Sequence, residues 1–113
     1  MKRSIARAWT KALESGEYEQ TKGALRRGDK FCVLGVLCNL HAQAHPEIAA
    51  KEKVKSRYMG YGSLLPNEVV EWAGMNSNDG YITYNSHLVN MNDIAGNTFE
   101  EMAQVIRKRW KQL

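Results

Sequence analysis

One run constrains this chain more than any other: Phe31–Leu40, FCVLGVLCNL, its only long apolar stretch. As a helix it is apolar almost all the way round, so it must be buried rather than laid on a surface. A strand fits the same length, and periodicity alone does not separate the two. Continuation of the pattern through Leu37, Leu40 and Ala42 passes ordinary strand length and favours a helix, ended at His45-Pro46 because a residue before proline avoids the α region. Gly35 lies mid-helix at a cost of about 1 kcal/mol relative to alanine. Its presence there implies that another segment packs closely against it.

Around this element the sequence predicts a single domain over 1–113, of mixed α+β class and mostly helical. About four helices surround the central one, and a small antiparallel hairpin spans Tyr81–Met91. Ile5, Ala8, Trp9, Ala12 and Leu13 make Ser4–Leu13 an amphipathic helix with Ser4 as its cap. Gly23–Phe31 reads either as a hairpin about Gly28-Asp29 or as a plain loop. Pro46–Arg57 predicts a short charged helix, Tyr58–Ser63 a linker, and Pro66 to Gly74 a helix carrying Val69, Val70 and Trp72. Tyr81–Tyr84 and His87–Met91 are the hairpin's arms. Thr98 and Glu101 form a capping box for a last helix with an apolar stripe through Phe99, Met102, Ala103, Ile106 and Trp110.

The net charge of +4 is unevenly spread. Residues 1–57 carry +6, residues 58–106 carry six acids and no Lys or Arg, and 107–113 carry +4. Such separation suits self-association as a homodimer, an acidic partner or nucleic acid. No apolar run reaches the roughly 18 residues of a membrane span. Met-Lys-Arg is followed by an amphipathic segment rather than a continuous apolar one, so a cytoplasmic protein without membrane contact is expected. Cys32 and Cys38, about 9 Å apart along a helix, are too far apart to bridge and match no common zinc spacing. His41 and His45 share a helix face, but Glu47 is their only nearby carboxylate, so no metal and no cofactor is expected.

Three chemistries remain. First, Tyr18, Gln20, Arg26, Arg27, Tyr58, Tyr61, Asn92 and Asp93 offer aromatic, amide and charged groups suited to a small polar, nucleotide-like ligand. Second, three basic clusters suit phosphate contacts: Arg26, Arg27 and Lys30; Lys51, Lys53, Lys55 and Arg57; and Arg107, Lys108 and Arg109 beside Trp110. Third, Cys32 at the start of a helix, where the dipole lowers a thiol pKa, can act as a nucleophile. His87 would be its base, Asn92 (or Asn90 or Asp93) the orienting group and Gln20 the oxyanion donor.

Several words of the sequence recur together elsewhere. They are Trp9; Ser15-Gly16-Glu17-Tyr18-Glu19-Gln20; Gly23-Ala24-Leu25; Cys32 to Cys38; Leu65 to Gly74; Asn92-Asp93; and Thr98 to Ile106. By these the chain resembles a group of small proteins of tailed bacteriophages and prophages. The stretch Ile94-Ala95-Gly96 departs from the shorter polar turn of that group. The resemblance implies a viral accessory protein acting in the bacterial host cell, in host takeover or counter-defence. The resulting expectation is a non-enzymatic binding protein that takes a host protein or a nucleotide-like ligand.

Overall fold

The apolar run becomes helix α2, Val33–Ala44, in a computed structural model that describes residues 1–113. Val33, Leu34, Val36 and Leu37 are wholly buried. Five further helices lie about α2: α1 (Arg3–Glu14), α3 (Pro46–Ala49), α4 (Asn67–Ala73), α5 (Leu88–Asp93) and α6 (Phe99–Arg109). Two small sheets complete the mixed α+β domain. In the first, β3 (Lys30–Phe31) lies between β1 (Glu19–Gln20, parallel) and β2 (Arg26–Arg27, antiparallel). In the second, β4 (Tyr81–Thr83) pairs with β5 (Ser86–His87) antiparallel. No helix is long and apolar enough to cross a membrane.

Helix α2 starts two residues later than the apolar run does. The backbone of Lys30 and Phe31 pairs with β1 and β2, and Cys32 turns the corner in an extended conformation as the N-cap. Gly35 faces the backbone of Leu25, so closely that an added Cβ would lie 1.8 Å from the Leu25 carbonyl oxygen. The close approach implied by a mid-helix glycine is therefore made by the arm leading into β2. Gly23–Phe31 is a hairpin rather than a loop.

Helix α1 has no side-chain cap; Lys2, not Ser4, precedes it. Its buried face is Ala6, Trp9, Thr10 and Leu13, and Trp9 Nε1 donates to the Val33 carbonyl at 3.0 Å. Helix α6 has the expected capping box and buries Phe99, Met102, Ala103 and Ile106 against the core.

Two expected elements are corrected. His87–Met91 is not a strand beyond His87: the chain turns into α5 at Leu88. Leu88 and Asn92 are both wholly buried while Asn90 between them is exposed. A strand would put all three on one face; a helix separates Asn90 from its neighbours at i and i+4. The helix expected over Pro46–Arg57 stops at Ala49. Glu52 Oε1 accepts from the Met59 N–H at 2.8 Å and folds the rest back as an irregular segment. The expected linker then closes as a tight turn: Tyr58 and Tyr61 exchange both backbone hydrogen bonds, with Met59 and Gly60 at φ 51° and 85°.

Candidate functional site

One face of α2 borders a cleft, with Gly35 and Cys38 buried at its base and Asn39 and Ala42 partly open to it. Gly35, Cys38, Asn39 and Ala42 recur at i, i+3, i+4 and i+7 and form the floor of this cleft of about 350 Å³. Leu25, Arg26 and Phe31 of the β2–β3 hairpin make one wall, and the irregular segment from Ala49 to Tyr58 makes the other. The floor is small and apolar apart from the Asn39 amide. The mouth is cationic: Arg26 is half-buried, while Lys53, Lys55 and Arg57 are exposed. Glu52 is the only acid in the lining, and its carboxylate is engaged by Met59.

The hairpin wall is held rigidly. The Arg26 guanidinium lies over the Phe31 ring at 4.7 Å, Arg26 Nε donates to the Gly28 carbonyl at 2.6 Å, and Asp29 lies 3.5 Å away. Tyr18 meets Phe31 edge-on with centroids 5.2 Å apart. Its hydroxyl accepts from Asn39 Nδ2 at 2.7 Å, which orients that amide on the floor.

Behind Tyr58 lies a buried aromatic cluster. His41 is wholly buried, stacks on His45 at 4.1 Å and meets Trp72 and Tyr58 edge-on. The tautomer with its proton on Nε2 faces Glu68, 3.5 Å away, and lets Nδ1 accept from the Tyr58 hydroxyl at 2.6 Å. Nε2 itself has no hydrogen-bond partner. Burial, assisted by His45, lowers the His41 pKa against the opposing pull of Glu68 and Glu47. The unfolded chain therefore binds this proton more readily than the folded one. The contribution of neutral His41 to stability is complete above the ordinary histidine pKa of about 6.5 and is lost as pH falls below it. Urea denaturation should show wild type losing stability between pH 7 and pH 5, and a His41→Gln variant losing less across the same interval. Equal losses would mean that His41 does not carry the pH dependence.

The expected ligand residues divide into three groups. Arg26 and Tyr58 line the cleft, and Tyr18 stands behind Asn39 and Phe31. Arg27 points elsewhere, donating to the Lys22 carbonyl, and Tyr61 is exposed outside the lining. Gln20, Asn92 and Asp93 belong to a separate knot. Asn92 Oδ1 accepts from Gln20 Nε2 (2.9 Å) and from the Val33 N–H (3.1 Å). Asn92 Nδ2 donates to the Thr21 carbonyl and to Asp93 Oδ1, both at 2.8 Å. Phe31 and Asn39 are not among the expected site residues; the repeat of small and polar side chains along α2 is the signal that finds Asn39, and no comparable signal marks Phe31 in β3.

The thiol constellation is rearranged as well. Cys32 is buried, and its Sγ accepts from the Gly35 N–H at 3.3 Å. Burial outweighs that hydrogen bond and pushes the thiol up to about 11, opposite to the lowering expected at a helix start. His87 Nδ1 is oriented by Asp79 at 2.7 Å, not by Asn90, Asn92 or Asp93, and no hydrogen bond joins it to Cys32. Gln20 Nε2 is committed to Asn92 and to the Asn97 carbonyl. Cys38, in the cleft floor, is also raised by burial.

The sequence model of a family described as a domain of unknown function (DUF8296) matches residues 1–110, and the chain belongs to that family. No curated protein and no solved structure matches it.

Proposed function

We propose that this member of the DUF8296 family is a non-enzymatic binding protein whose cleft takes a small anionic, nucleotide-like ligand. The observation that carries the reading is a cationic mouth above a small apolar floor, with Phe31 and Tyr58 in the walls. Arg26, Lys53, Lys55 and Arg57 suit phosphate oxygens, and Phe31, Ala42 and Tyr58 suit a flat ring. The Asn39 amide, fixed by Tyr18, supplies one oriented polar group for the ring's edge. The raised thiol of Cys32 and the structural engagement of Gln20 and Asn92 favour binding over nucleophilic catalysis. The resemblance to tailed-phage and prophage proteins favours an accessory role in a bacterial host, with host takeover or counter-defence as the setting.

Calorimetric titration with AMP and ATP at low salt tests this. One saturable site is expected, and the pair Lys53→Glu, Lys55→Glu should weaken it by about tenfold to a hundredfold, the worth of one or two charge-assisted contacts. Both side chains are exposed, so the variant should melt like wild type. Absence of binding to either nucleotide, or affinity unchanged by the charge reversal, would overturn the reading.

A further inference from the structure

A second cationic surface lies away from the cleft, in the groove between α1 and α6. Arg3, Arg7 and Lys11 follow one another at four-residue steps along α1, about 6 Å per step. Arg107 and Trp110 line a groove of about 260 Å³ with Arg3 and Arg7, and Arg107 borders the adjoining hollow with Arg7 and Lys11. Glu14 is the one acid there, and it is taken by Arg107. Arg3, Arg7 and Lys11 are exposed and no carboxylate pairs with them.

The arrangement is unfavourable for α1 itself. Its first turn contains no acid but does contain Arg3, at the end where the helix dipole favours negative charge. Like charges at i and i+4 repel one another as well. The basic end of α6 is different, because Arg107, Lys108 and Arg109 occupy the last turn, where the dipole favours cations. Local helix stability thus explains the α6 charges and Lys11, which lies in the last turn of α1, and leaves Arg3 and Arg7 unexplained. A linear polyanion would offset the repulsion along the whole length of the stripe.

We infer that the α1–α6 groove binds the phosphodiester backbone of nucleic acid, with Arg3, Arg7 and Lys11 contacting successive phosphates. Contacts of this kind carry no base readout and are strongly salt-dependent. The inference is independent of the cleft and its ligand.

Fluorescence anisotropy with a labelled oligonucleotide, single-stranded in one arm and duplex in the other, tests it between about 50 and 200 mM salt. Wild type should bind at least one of the two, and the arm that binds identifies the form of nucleic acid. The pair Arg3→Glu, Arg7→Glu should weaken binding at least tenfold. It should also flatten the slope of log K against log salt by about 1.4 for single strands or 1.8 for duplex. The pair Lys22→Glu, Lys51→Glu makes the same change in net charge on exposed residues outside the groove and should shift affinity by less than about threefold. Circular dichroism melts confirm folding of both. Binding to neither form, unchanged binding by the groove variant, or equal weakening by both pairs would overturn the inference.

Discussion

Gly35→Ala is expected to destabilise the protein by on the order of 3 kcal/mol or more, although alanine is the better helix former by about 1 kcal/mol. The Cβ would sit 1.8 Å from the Leu25 carbonyl oxygen and 2.7 Å from its carbon. These are backbone atoms, and a rotamer change cannot move them aside. Leu25 is itself tied down, donating to the Gly62 carbonyl at 2.7 Å and accepting from the Cys32 N–H at 3.2 Å. Relief therefore requires either α2 or the β2 arm to move, and these are the floor and one wall of the cleft. Urea denaturation measures the effect. A Gly35→Ala protein as stable as wild type would show that the two segments do not approach in this way.

Asn92→Ala should cost about 3–5 kcal/mol and lower the melting temperature by about 10–20 °C. The amide is wholly buried and makes four hydrogen bonds, three of which join α5 to the start of α2, to β1 and to the residue after β1, while the fourth is to the adjacent Asp93. Removing it leaves the Val33 N–H and the Thr21 carbonyl without their side-chain partner, at about 1–3 kcal/mol for each group left unsatisfied. Asn92→Asp keeps the shape but sets a carboxylate oxygen against the Thr21 carbonyl and the Asp93 carboxylate, so it should not rescue stability. Thermal melts followed by circular dichroism read both variants. An Asn92→Ala melt within about 2 °C of wild type would contradict this structural role and return Asn92 to consideration as an orienting group for chemistry.

The same two residues show what the sequence makes legible. A glycine inside an apolar helix predicts a close neighbour, and one is present; only the identity of that neighbour, a strand arm rather than a helix, needed three dimensions. The capping box of Thr98 and Glu101 is local chemistry, readable from spacing alone. Asn92 is less legible. Leu88 and Asn92 are compatible with both a period of two and a spacing of four, so α5 reads equally well as a strand. Phe31 belongs in the sequence both to the apolar run and to the Gly23–Phe31 segment, and nothing local reveals that β1 also pairs with its backbone.

The cleft is a tertiary object. Arg26 and the segment Lys53–Arg57 are far apart in sequence and meet only because Glu52 folds its segment back onto Met59. Cys32 illustrates the converse. Its position at a helix start is visible in sequence and suggests a lowered pKa, whereas its burial, which decides the direction, is not.

Native mass spectrometry of the protein purified without heating from bacterial cells that produce it tests the central claim most directly. The account predicts a retained small molecule of defined mass that carries phosphate and dissociates on unfolding, absent from the Lys53→Glu, Lys55→Glu variant purified in parallel. The bare chain from wild type, a co-purifying protein in place of a small molecule, or the same adduct on the variant would contradict it.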